Sequence, residues 1–215
     1  MTRLSLYDKV YNYLYEEIIT QNIKPGQAIV EQEISGLLGV SRTPVREVLK
    51  KLETEGLVKH YSSRGTFVKE VTTQDIEEIF ELRSIFEEMA LRSAIHKIPD
   101  EELEELESLL NSLEFGVNTA EEFYETDRSL HRVIISYSKN QRMADFLKTI
   151  NSQAEMLRRI SAMTPKRLQK SKQEHLEIIG AIKERDIEKA VNSLHTHLDN
   201  VKNSTLDICM KVYYK

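Results

Sequence analysis

Apolar residues recur at helical spacing along most of the chain, in two unequal stretches that meet near residue 72. In the first, Leu6, Val10, Tyr13, Leu14 and Ile18 form a stripe broken only by Glu17, which predicts a helix with one inward side. Ile23-Lys24-Pro25-Gly26-Gln27 reads as a turn, because proline fixes one dihedral and glycine permits the next. A short helix beginning at Glu31, a turn at Gly39 and a second helix opening at Ser41 come next, with Val45, Val48, Leu49 and Leu52 on the inner face of the second. Ser41 suits an N-cap, Pro44 is tolerated in the first turn, and Gly56 can take the left-handed C-terminal conformation. Residues 57–61 and 66–71 then read as two short strands joined at Ser62-Ser63-Arg64-Gly65. These elements make a winged helix-turn-helix, with the 6–20 helix packed behind the second helix.

From Asp75 onward no period of two competes with the helical one. Pro99, Gly116, Pro165 and Gly180 punctuate the pattern, and helices are expected near 74–97, 100–115, 119–138, 140–163, 166–184 and 186–211. The fold class is therefore mainly α: a winged domain over 1–71, then an all-α antiparallel bundle of about six helices over 72–215. Val71-Thr72-Thr73-Gln74 is the linker, and Thr72 or Thr73 caps the first helix of the bundle.

Composition changes this picture in two ways. The 215 residues hold no stretch apolar enough to span a bilayer and no signal-peptide core at the N-terminus, so a soluble, cytoplasmic protein with no membrane partner is expected. Cys209, the one cysteine, excludes an intramolecular disulfide and sits by its polar neighbours on an expected turn. Net charge is −5, but it divides unevenly: residues 1–71 carry ten Lys or Arg against nine Asp or Glu, and residues 72–215 carry twenty against twenty-six. A local basic patch on Arg42, Arg46, Lys50 and Arg64 can thus meet phosphate while the acidic remainder limits non-specific binding.

With its apolar side turned inward, the second helix leaves Arg42, Thr43, Arg46 and Lys50 outside. Two arginines and two hydroxyls (Ser41, Thr43) beside the unpaired amides of a first turn suit phosphate oxygens and the acceptor edge of guanine in a major groove. Glu47 shares that face and can pair with Lys51 or accept from a cytosine amino group. Arg64 at the wing tip reaches a minor groove or a phosphate, or is a solvated loop charge. Modest affinity per module points to a homodimer on a two-fold double-stranded DNA operator.

Here the residues carry a resemblance. Residues 6–70 resemble the DNA-binding domain of the GntR family of bacterial transcription regulators, through "IKPGQ", "GVSRTPVREVLKKLETEGLV" and "SSRGTFV". In that family the positions matching Ser41, Arg42, Thr43, Arg46 and Gly65 touch DNA, so the resemblance implies those roles here. Gln32 stands where some members of the fatty-acid-responsive branch use arginine, which leaves one phosphate contact open.

At about 100° per residue, helical wheels of the second domain place polar residues on apolar faces. Asp127 and His131 are one turn apart on a face with Phe123, Tyr124, Leu130 and Ile134, and His175 is centred on the stripe Leu168, Ile178, Ile179 and Ile182. His195 and His197 fall on opposite shoulders of the last helix; His197 shares its side with Ala190 and Ile208 and is taken as the inward one, whereas His195 lies with Glu188, Asp199 and Lys202. A buried carboxylate and three buried imidazoles each need partners, and a divalent metal supplies them all. Three nitrogens and one oxygen from Asp127, His131, His175 and His197 suit Zn²⁺, with Ni²⁺ as the other candidate.

Residues 73–209 also resemble the all-helical (FCD) effector-binding domain of the FadR-type branch, whose metal-binding members carry an Asp-x3-His pair and two later histidines; "DRSLH", "EHLEII" and "HTHLDNV" match. The resemblance implies a metal on the same four residues, with water or a ligand carboxylate completing the shell. Arg83, mid-stripe among Ile76, Ile79, Phe86 and Ala90, wants an anion: either Glu87 one turn on, or the carboxylate of a small-molecule effector. Two other readings stay open, a purely structural metal and a metal-dependent hydrolase. Against the latter, there is no HExxH and no Ser-His or Cys-His nucleophile signature.

Overall fold

In this computed structural model the described residues are 5–113, 119–161 and 165–213, without the side chains of 119–125, 127, 128, 165, 212 and 213. Helix α1 (Leu6–Ile19) begins at a capping box in which the Asp8 amide donates to Ser5 Oγ (3.0 Å) and the Ser5 amide donates to Asp8 Oδ2 (3.2 Å). Val10, Leu14, Ile18 and Ile19 are buried, and α1 packs against α3 (Arg42–Thr54) as the stripe requires. Leu6 departs from the expectation: in the first turn it lies at the very end of the stripe and stays exposed.

Helix α2 (Glu31–Leu38) ends at Gly39, whose φ of 66° is the left-handed conformation that lets the chain turn sharply into α3. On α3 the buried side chains are Val45, Val48, Leu49 and Leu52, the four that the period selects. Ser41 occupies the N-cap with extended backbone but, contrary to the expected cap, its side chain makes no capping hydrogen bond. Strands β2 (Val58–Tyr61) and β3 (Gly65–Val68) pair antiparallel from Val58↔Val68 to Tyr61↔Gly65. A further strand, β1 (Ala28–Ile29), pairs antiparallel with β3 and completes a three-stranded sheet of order β1-β3-β2. Two residues are too few to show alternation, so the pattern does not reveal β1.

Among the described residues six more helices follow: α4 (Thr73–Ala94), α5 (Asp100–Ser112), α6 (Thr119–Tyr137), α7 (Gln141–Ser161), α8 (Pro165–Lys183) and α9 (Ile187–Tyr213). Helix α4 packs on α9 and α6, and α8 packs on α9 and α5. The buried positions include Ile76, Ile79 and Ala90 of α4, Leu130 and Ile134 of α6, Ile178, Ile179 and Ile182 of α8, and Val191, Leu194, Leu198 and Val201 of α9. Cys209 corrects an expectation: it lies not on a turn but buried within α9, in line with Thr205, and burial pushes its thiol pKa up. The chain forms two compact units, Met1–Thr72 with Thr149–Met156, and Thr73–Lys148 with Leu157–Lys215.

Candidate functional site

On α3, Arg42, Thr43, Arg46 and Lys50 are exposed, as is Ser41 at its N-cap, so the first turns display the side chains that the wheel put outside. Arg64 lies in the β2–β3 turn with its guanidinium carbon 5.9 Å from the Tyr61 ring centroid and 5.4 Å from that of Phe67. It is exposed and lies beside two rings, so both the DNA-contacting and the solvated reading of Arg64 stay open. Gly65, with φ 91°, opens β3 just after it. The expected Glu47–Lys51 pair does not form; Lys51 Nζ meets Glu55 Oε1 at 3.3 Å, one turn further from α3's start. Two contacts within this module were not legible in the sequence. Arg46 Nε donates to Glu31 Oε2 at 2.7 Å, and Arg42 Nη2 donates to Gln32 Oε1 at 2.9 Å.

In the bundle, α6, α8 and α9 bring His131, His175 and His197 together, each offering one ligand atom and all three atoms lying within 4.8 Å of one another. All three rings are buried, His175 and His197 completely. His195 instead lies at the surface with Nε2 3.1 Å from Glu88 Oε2, as the neighbours of the two histidines predict. Asp127 is on α6 four residues before His131, but its side chain lies outside the described residues.

Two carboxylates orient the rings. Glu87 Oε2 accepts from His131 Nδ1 at 2.6 Å, and Glu174 Oε2 accepts from His197 Nδ1 at 2.9 Å. A carboxylate only accepts, so each Nδ1 carries the hydrogen, which leaves Nε2 as the nitrogen that a neutral ring would offer to a metal. Each carboxylate is in turn gripped by an arginine. Arg167 donates from Nη1 and Nη2 to Glu174 (3.1 and 2.8 Å), with Asn200 Nδ2 adding a third bond at 2.8 Å. Arg83 Nε donates to Glu87 Oε1 at 2.7 Å. Burial alone would raise the Glu87 carboxyl, but the Arg83 guanidinium and the His131 imidazole outweigh it and hold the pKa well below the usual carboxylate range.

This donor set fits a transition metal. His175 Nε2 and His197 Nε2 face each other at 3.3 Å. That is long for an N–H···N hydrogen bond, whereas two nitrogens about 2.0–2.1 Å from a tetrahedral Zn²⁺ lie roughly 3.3–3.4 Å apart. Buried imidazole nitrogens held as neutral ligands suit Zn²⁺ or Ni²⁺ better than Mg²⁺ or Ca²⁺, which prefer oxygen. Beside them Arg83 is 2 % exposed, and among the described residues its Nη1 and Nη2 have no hydrogen-bond partner. Both alternatives for Arg83 thus have support: Glu87 takes Nε, and two buried donors remain for another acceptor.

Sequence reasoning missed Glu174, Arg167 and Asn200, and assigned Glu87 only to Arg83. A signal existed for one pair: Arg167 and Glu174 are seven apart on α8 and so share a helix face. None existed for Glu87 and His131, which lie on different helices 44 positions apart.

The comparisons with known proteins agree with this architecture. The family described as FCD domain matches residues 78–200, and that described as bacterial regulatory proteins, gntR family, matches residues 6–68. The chain is 28% identical over 197 residues to the HTH-type transcriptional regulator YdhC of Bacillus subtilis (strain 168), covering 90% of this chain and 88% of that one. A GntR transcriptional regulator from Rhodococcus sp. RHA1 has the same fold, with a TM-score of 0.81 at 23% identity over 95% of this chain and 99% of that one. The chain is also similar to the Zn²⁺-bound FCD domain of the transcriptional regulator TM0439, at a TM-score of 0.58 and 26% identity, covering 68% of this chain and 99% of that one.

Proposed function

Because this chain belongs to the gntR family of bacterial regulatory proteins, with an FCD domain after its winged module, we propose that its bundle is a metal-assisted sensor of a small carboxylate. In this reading, residues 1–71 bind DNA through Ser41, Arg42, Thr43, Arg46, Lys50, Arg64 and Gly65, and residues 72–215 receive the effector. His131, His175 and His197, with Asp127, hold the metal, most simply Zn²⁺. The metal supplies positive charge that attracts a carboxylate oxygen. Glu87 and Glu174 fix the tautomers of His131 and His197, and Arg83 offers Nη1 and Nη2 to the carboxylate as a planar fork.

The observation that carries the reading is the buried Arg83, two of whose donors no described residue takes, one carboxylate away from His131. A purely structural metal would leave that cost unexplained. In this reading the chain acts as a regulator, as its relatives do, rather than as a hydrolase, and the metal's assigned part is binding. The effector biases a dimer between two placements of its winged modules, and hence the match to a two-fold operator.

Elemental analysis after exhaustive dialysis tests the ligand set. Wild-type protein should retain stoichiometric zinc, and the His175→Ala/His197→Ala variant should retain none; stoichiometric zinc in the double variant removes these residues from the site. Mass spectrometry of small molecules that co-purify with wild type but not with Arg83→Ala tests the effector pocket.

A further inference from the structure

We propose that Glu31 is a specificity-determining residue of the DNA reader, holding Arg46 by Nε so that its Nη1/Nη2 edge meets guanine as a nearly charge-neutral fork. The inference rests on the reading of Arg46 as a base-contacting residue.

Arg46 and Glu31 are 15 positions apart and on different helices, yet Nε and Oε2 lie 2.7 Å apart. The neighbouring residue makes a contact of the same kind through a different nitrogen: Gln32 Oε1 accepts from Arg42 Nη2 at 2.9 Å. Adjacent residues at the start of α2 thus each take one nitrogen from arginines one turn apart on α3. These contacts contribute little to folding, because the Arg46 and Glu31 side chains are 60% and 32% exposed. Their consequence is orientation.

A guanidinium presents its donors in a rigid fork. With Nε engaged, the Nη1/Nη2 edge remains, and among the described residues nothing else takes it. That edge matches the paired O6 and N7 acceptors of guanine in the major groove. Glu31 also cancels most of the Arg46 charge, which matters where residues 1–71 carry only one cation in excess. Unpaired, Arg46 would attract any phosphate; paired, it gains most where a base offers both acceptors. Gln32 fits the same scheme: where an arginine would add a sequence-independent phosphate contact, it steadies Arg42.

The test uses the full chain. Wild type, Glu31→Ala, Glu31→Gln and Arg46→Ala each select duplexes from a fully randomised DNA pool, and binding to a non-selected duplex is measured against salt. Circular dichroism confirms that each variant is folded. Glu31→Ala should lose roughly tenfold preference for guanine at one position per half-site, and its log-affinity for random duplex should fall with log salt more steeply, by about 0.9. Glu31→Gln keeps an acceptor for Nε, so it should retain the guanine preference and show only the steeper salt dependence. Selection by Glu31→Ala of the wild-type sequence at wild-type strength overturns the proposal. Retention of the same guanine by Arg46→Ala removes the premise instead, which separates the two failures.

Discussion

His197 is constrained from both ends of its ring: Nδ1 is tied to Glu174, and Nε2 faces His175. The tie is worth having only if Glu174 itself stays put, and Arg167 with Asn200 provides that. Glu174→Gln should therefore weaken zinc binding by about 10–100-fold, measured by competition with a chromophoric chelator. It also strips Arg167 of its buried counter-charge, at a cost to stability of roughly 3 kcal/mol. Arg167→Met combined with Glu174→Gln should recover stability but not zinc affinity. Recovery of both would mean that the pair serves the fold and not the ring. At the same scale His195, two residues from His197, stands apart from the three-histidine cluster: it faces the other side of α9, with Nε2 3.1 Å from Glu88 Oε2.

In and just after α2, two glycines three residues apart have opposite demands. Gly36 lies in the helix interior with open space where a Cβ would go, and Gly39 sits just past the end at φ 66°. Gly36→Ala should stabilise the winged module by about 0.5–1 kcal/mol by reducing the freedom of the unfolded chain. Gly39→Ala meets no neighbour either, but forces an L side chain into the left-handed region at a cost of roughly 1–2 kcal/mol. Chemical denaturation read by circular dichroism checks both signs. Equal shifts for the two variants would show that the turn does not depend on the left-handed residue. This geometry also sets α2 against α3, which brings Glu31 and Gln32 to the reader arginines.

For the molecule as a whole, binding of metal to the folded bundle alone converts affinity directly into stability. Zinc at a hundred times its dissociation constant should add about 2.7 kcal/mol, or roughly 5–10 °C in the midpoint of the transition that reports the bundle. A chelator should reverse the gain, and His175→Ala/His197→Ala should show neither gain nor reversal in differential scanning calorimetry. An undiminished shift in the double variant would place the stabilising zinc elsewhere. The uneven charge also acts at this scale, since most acid lies beyond residue 71 and the excess of cations before it is one.

The order of the helices and of the β2–β3 pair and the inward faces of α1, α3, α8 and α9 were legible in the sequence, because each is a local periodicity that an element imposes on its own residues, and the choice of His197 over His195 followed from the neighbours each shares a side with. So were the three histidines as a group and Arg83 as an oddity, since a polar residue in an apolar stripe breaks that periodicity. Only the tertiary structure decided which polar groups meet. Glu87 reaches His131 across 44 positions, Glu174 reaches His197 across 23 and Glu31 reaches Arg46 across 15, each between different helices. No local repeat encodes such a meeting. It depends on how far each helix slides and turns against its neighbour, and packing sets that through side chains drawn from the whole chain.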